Sequence, residues 1–197
     1  MISHMTLKTP VGFQLDSQLL YERQKATRAA QAQVGPIIVA VGLQVPENIG
    51  SVLRLADAAG SAKAIFLDSG ASATALKRIR RMARNADALV KWEFLTVENF
   101  SEQIDSYPPL IALELTTGST SIFAAALPNP CALVVGSERF GVPETLLAKC
   151  QRAVHIPMYG VNGSMNVTHA LAIALFEWRR QHGVVYLKRE TSGENEV

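Results

Sequence analysis

Short, mostly apolar runs recur along this chain, and all but one are followed by a stretch of helical composition. That alternation restricts the fold more than any other feature. The strand-like runs are residues 37–43, 64–67, 110–115, 132–135 and 154–156, with 92–95 as a weaker member. Between them lie helical stretches at 48–59, 73–84, 97–106, 143–150 and 164–182. A strand with no polar alternation is covered on both faces, so the pattern predicts an α/β fold: a mostly parallel sheet with helices on both sides. The length of 197 residues suits one such domain. With 48% apolar and 18% charged residues, the composition excludes disorder over most of the chain. No apolar run reaches the roughly 18 residues that a membrane-crossing helix needs. The opening Met-Ile-Ser-His-Met has no basic segment leading into an apolar one, as a secretory signal would.

Residues 1–35 differ from the rest and read as an N-terminal extension. Residues 16–33 are rich in Gln, Arg and Ala, with helical composition but a weak apolar stripe, and Gly35-Pro36 stops the pattern. The main domain is expected over 36–183, followed by a C-terminal tail, 184–197, with a polar end. Two cysteines, Cys131 and Cys150, make neither a disulfide framework nor a C-x-x-C metal or redox motif, which fits a reducing cytoplasm. No metal is expected: His155 and His169 are isolated and lack ligand spacing.

In open α/β sheets, ligands sit beyond the carboxyl ends of the strands. The turn after the first run, Val41 to Asn48, carries neither G-x-G-x-x-G nor a P-loop, and no G-x-S-x-G occurs. Three other segments stand out. The first is Asn48-Ile-Gly-Ser-Val-Leu-Arg54-Leu-Ala-Asp-Ala-Ala-Gly60, whose helical spacing places Ser51, Arg54 and Ala58 on one face. The second is a buried strand opening into Gly136-Ser-Glu138-Arg-Phe-Gly141. The third is Ile156-Pro-Met158-Tyr-Gly-Val-Asn-Gly-Ser164-Met165-Asn166-Val-Thr168, a strand end, a loop and a helix start.

In this order the three segments resemble the motifs of the TrmH-like (SpoU) branch of the SPOUT RNA methyltransferases, over roughly residues 36–182. The family pattern is Asn, a small residue, Arg and Ala-x-Ala-x-Gly. A Val-rich strand with Gly-x-Glu-x-x-Gly follows, then Ile-Pro-Met-x-Gly and Ser-Leu-Asn-Val-Ser. This chain departs at Met165 and Thr168, both conservative changes. Residues 1–35 match no motif.

The resemblance implies an α/β fold with a C-terminal trefoil knot, a homodimer, S-adenosylmethionine as cofactor, and methyl transfer to a ribose 2′-hydroxyl of tRNA or rRNA. By motif position it implies Leu115, Thr116, Gly136, Ile156, Met158 and Met165 as cofactor-binding residues. It also implies Arg54 as the essential arginine, with Asn48, Glu138, Ser164 and Asn166 orienting Arg54 and the ribose. Two other readings stay open: an RNA-binding protein of the same fold without turnover, and an RNA base methyltransferase of the superfamily.

Plainer roles compete residue by residue. Arg54 alone is an ordinary surface arginine. Glu138 suits a helix N-terminus. Ser164 is a good N-cap for the last helix, with Asn166 as the substitute. The 77–84 run holds five cationic side chains while the whole chain nets only +2, so the remainder is net negative. It is either a solvated helix face or a phosphate-binding surface on which Lys77, Arg80, Arg81 and Arg84 grip RNA, with Ile79 and Met82 turned inward.

Overall fold

The structure, a computed structural model, describes residues 18, 22, 35–69 and 72–183. The expected N-terminal helix and the C-terminal tail therefore lie outside the described residues. The chain divides into two units, residues 1–33 and 34–197, and the second carries the sheet and its helices.

Seven parallel strands form one sheet: β1 (Gly35–Val41), β2 (Ser61–Leu67), β3 (Trp92–Leu95), β4 (Leu110–Leu113), β5 (Thr120–Ser121), β6 (Ala132–Val135) and β7 (Arg152–His155). Their order is β3-β2-β1-β6-β4-β7-β5. The helices are α1 (Pro46–Ala59), α2 (Ala73–Ala83), α3 (Ala86–Leu89), α4 (Val97–Glu102), α5 (Glu144–Leu147) and α6 (Val167–His182).

Alternate residues of β1 feed two separate cores, as the period of two in a strand requires. Ile38 and Ala40 join Ile49 and Leu53 of α1, Ile79 of α2 and Leu171 and Trp178 of α6. Val39 and Val41 join Phe100 of α4 and Leu146 of α5 on the other face. Both faces are thus covered, the arrangement the apolar runs predict. Among the described residues no helix is long and apolar enough to cross a membrane.

Several boundaries differ from expectation for local reasons. α1 begins two residues early because Pro46, with its fixed φ, suits a first helical turn. It ends at Gly60, whose φ of 61° and ψ of 40° close the helix in the left-handed region. The 97–106 stretch splits into α4 and a 3₁₀ turn, Ile104–Ser106. The 143–150 stretch is helical only over Glu144–Leu147. The expected Ser164 cap is a correction: α6 starts at Val167, and its N-cap is Asn166. Asn166 Oδ1 accepts from Thr168 N at 2.8 Å and from Thr168 Oγ1 at 2.6 Å. The two-residue β5 carries no run that a sequence pattern could reveal.

The last turns of α6 fasten the loop between β5 and β6. Trp178 Nε1 donates to Pro128 O at 2.9 Å, and Gln181 pairs with Leu127 N and Ala125 O. Arg179 donates to the carbonyls of Ala59 and Gly60, tying α6 to the end of α1. Glu177 accepts from Arg180 and Gln181 at 2.7 Å. The Arg180 guanidinium holds its carboxyl below the usual range, with burial opposing.

Candidate functional site

Because every strand is parallel, their carboxyl ends share one edge. The order β1-β6-β4-β7 sets four loops next to one another there: residues 42–45, 136–143, 114–119 and 156–166. These loops, with the start of α1, bring the three motif segments together, although β1 and β7 are over a hundred residues apart in sequence.

A cleft of about 490 Å³ opens at the ends of β4 and β7. Leu115, Ile156, Met158, Ser164 and Met165 line it, together with Glu114 and His155. Thr116 and Gly136 are not among its lining residues. Gly136 has a different demand on it. A Cβ there would lie 1.9 Å from the carbonyl carbon of Gly141 and 2.2 Å from Val142 N, so only glycine lets the 137–141 loop fold back. That loop is closed by reciprocal backbone bonds between Ser137 and Gly141, at 3.2 and 3.0 Å, and by Phe140 N donating to Ser137 Oγ at 3.1 Å.

The loop presents Glu138, whose carboxylate accepts from the Asn48 amide, so the start of α1 and the β6 loop are directly joined. Arg54, further along α1, is exposed, and among the described residues it makes no hydrogen bond or ion pair. Its guanidinium is therefore available to a ligand. Ser164 stands exposed in the loop before α6.

Two site features were not marked by the motifs. One is Glu114, which follows β4 directly. Its Oε1 accepts from Leu115 N and its Oε2 from Val142 N, both at 3.0 Å. A charged residue at the carboxyl end of a buried run is the signal that could have found it. The other is the Ser119–His155 pair. Ser119 Oγ accepts from Thr116 N, donates to Thr116 O at 2.8 Å and lies 3.0 Å from His155 Nδ1.

The basic helix α2 is capped by Ser72, whose side chain accepts from Ala75 N, and buries Ile79 and Ala83. Met82 is half-buried. Lys77, Arg80, Arg81 and Arg84 are all exposed. Arg80 lies 3.8 Å from Asp87, and Arg78 grips Glu47, the second residue of α1, at 2.7 Å. α2 packs on α1 so closely that a Cβ on Gly50 would come within 2.7 Å of Ile79 O. The helix that carries the cations thus packs, through its buried side, on the helix that carries Arg54. Both cysteines are free, and burial pushes the Cys131 thiol up to about 12 and the Cys150 thiol up to about 11, so neither is a nucleophile at neutral pH.

A parallel α/β sheet with its ligand cleft and converging loops at the carboxyl edge defines the class. Within that class, the chain belongs to the SpoU rRNA Methylase family, whose model matches residues 35–176. The trefoil knot comes with that family. The chain is 32% identical over 148 residues to the 23S rRNA (guanosine-2′-O-)-methyltransferase RlmB of Blochmanniella floridana, covering 74% of this chain and 57% of that protein. Among solved structures it is similar to the AdoMet-bound rRNA methyltransferase from Sinorhizobium meliloti. There the TM-score is 0.69 at 25% identity, over 79% of this chain and 60% of that one. It is also similar to an RNA 2′-O ribose methyltransferase, with a TM-score of 0.69 at 30% identity, over 77% of this chain and 58% of that one. The chain thus spans somewhat less than two thirds of the length of these relatives.

Proposed function

We propose that this chain transfers the methyl group of S-adenosylmethionine to a ribose 2′-hydroxyl of an RNA. The observation that carries the reading is the cleft at the ends of β4 and β7, walled by Leu115, Ile156, Met158 and Met165. Its volume falls within the range of about 300–1,000 Å³ that small-molecule sites occupy. Its mix of apolar side chains, loop backbone and a few polar groups suits a nucleoside with a charged tail. The cofactor, when bound, supplies an electrophilic methyl on a positively charged sulfur.

The chain's own residues do the rest. Arg54 grips a phosphate of the target nucleotide and stabilises the charge that develops on the ribose oxygen. A guanidinium stays protonated in proteins, so Arg54 is not the base, and the proton passes to the nucleotide's phosphate or to water. Asn48 and Glu138, already bonded to each other, fix the start of α1 against the β6 loop. Ser164 faces the ribose from the cleft wall. Asn166 holds the start of α6 as its cap and orients that wall. Thr116 and Gly136 act on the cofactor side through their loops. We take residues 36–183 as the catalytic domain, with 1–35 as an extension and 184–197 as a tail, working in the cytoplasm.

The direct test is incubation of the purified chain with labelled S-adenosylmethionine and bulk RNA, followed by digestion to nucleosides. Label in 2′-O-methyl nucleosides is the expected result. Label in methylated bases instead would move the activity to the base-modifying part of the superfamily. Cofactor binding without any transfer would favour an RNA-binding role.

The RNA surface proposed is the exposed face of α2. Reversing Lys77 and Arg81 to Glu should weaken RNA binding alike at all sequences, because phosphate contacts position and do not specify. The slope of log affinity against log salt should shrink by roughly 0.7 per lost contact on single-stranded RNA. An unchanged slope would make α2 a solvated face only.

A homodimer is the proposed assembly. Phe140 at 78%, Tyr159 at 96% and Phe176 at 52% exposure leave large apolar side chains in water on the described part of the chain. Sedimentation at micromolar concentration should give twice the chain mass.

A further inference from the structure

We propose that Glu114 is a positioning residue for the methyl transfer, clamping the cofactor side of the site to the ribose side; this rests on the functional reading above. Its two carboxylate oxygens serve two different loops. Oε1 accepts from Leu115 N, at the start of the strap that walls the cleft, and Oε2 accepts from Val142 N, at the end of the loop that presents Glu138. Gly141 leaves the room for this, since a Cβ there would come within 2.5 Å of Oε2. The far end of the strap is pinned separately by Ser119 and His155.

The strap is thus held at both ends, and only the Glu114 end reaches across to the β6 loop. That loop in turn holds Asn48 through Glu138. A single carboxylate therefore sets the register between the cleft wall and the start of the helix that carries Arg54. A neutral carboxamide of the same shape cannot do this, because it has one acceptor atom where the clamp needs two.

The test is Glu114→Gln in the full chain, read in three ways. In the unliganded protein, amide exchange at Leu115 or Val142, whichever loses its acceptor, should speed up at least about tenfold, while the core amides of α6 keep the wild-type rate. Calorimetry should show S-adenosylmethionine binding weakened about tenfold, with RNA affinity within twofold of wild type. At saturating cofactor, kcat should still fall at least about tenfold, because the Glu138 loop is no longer held. Glu114→Asp keeps the charge on a shorter arm and should recover part of both losses.

A Glu114→Gln variant with wild-type exchange at both Leu115 and Val142 overturns the proposal. So does one whose melting temperature falls while cofactor affinity and kcat per folded molecule stay within twofold, since that is the mark of a merely structural group. If the wild-type chain binds no S-adenosylmethionine, the functional reading fails and takes this proposal with it. Wild-type binding with an unaffected Glu114→Gln variant overturns the clamp alone.

Discussion

Arg54→Ala should lower the rate of methyl transfer by about 10²- to 10³-fold, the usual cost of removing one group aimed at developing negative charge. Cofactor affinity should stay within a factor of about two to three. The division follows from placement. Arg54 is exposed on α1 and is not among the residues that wall the cleft. Nor does the folded chain depend on it, for it makes no hydrogen bond or ion pair among the described residues. A loss of activity in this variant is therefore chemistry and not collapse. Single-turnover kinetics with labelled cofactor, beside calorimetry with S-adenosylmethionine, separates the two. A variant that keeps more than about a tenth of wild-type turnover, a barrier change under about 1.4 kcal/mol, would remove Arg54 from the role assigned to it.

Gly136→Ala should damage both stability and activity. The new methyl would run into one peptide unit, the carbonyl carbon and oxygen of Gly141 and Val142 N, all within 2.2 Å. Backbone cannot swing aside as the end of a side chain can, so the 137–141 loop must open. Overpacking of this kind costs about 1–3 kcal/mol. In a chain of this size that lowers Tm by several degrees. The opened loop also carries Glu138 away from Asn48 and Val142 N away from Glu114. Transfer should thus fall further than the folded fraction does. Thermal denaturation followed by activity measured on the folded fraction checks both parts. Wild-type melting would mean that the loop has room this packing denies it.

How much of this the sequence disclosed depends on the range of the interaction. Runs set by local burial were legible, β3 and β6 to the residue at 92–95 and 132–135, and β1, β2, β4 and β7 with ends displaced by up to three residues. The third motif marks most of the cleft wall, because it is a continuous segment at the end of β7, while the first two contribute no lining residue. What spacing could not show is strand order. Nothing local to residues 132–135 says that they insert between β1 and β4. The capping choice at α6 was missed for a subtler reason. Ser164 and Asn166 are both good caps, and only the path of the loop decides which one meets the first free N–H. Glu114 escaped because its distant partner, Val142, 28 residues away, ends a loop whose fold-back depends on Gly136.

The insertion of β6 also governs when this protein can take shape during synthesis. β1, β2 and β3 are neighbours in sequence and in space, so residues 35–95 can pair as soon as they leave the ribosome. β4 cannot join them. Its only partners are β6 and β7, both made later. At about 5–20 residues per second, the apolar segment Leu110–Leu113 waits one to several seconds before Ala132–Val135 arrives. Only then does one strand bridge the early half of the sheet to the late half. During that interval β4 is an unpaired strand of the kind that invites association with other chains. Nascent chains in which residues 110–113 have left the ribosome and residues 132–135 have not should be the most aggregation-prone, and those with Val135 also outside the first to be rescued.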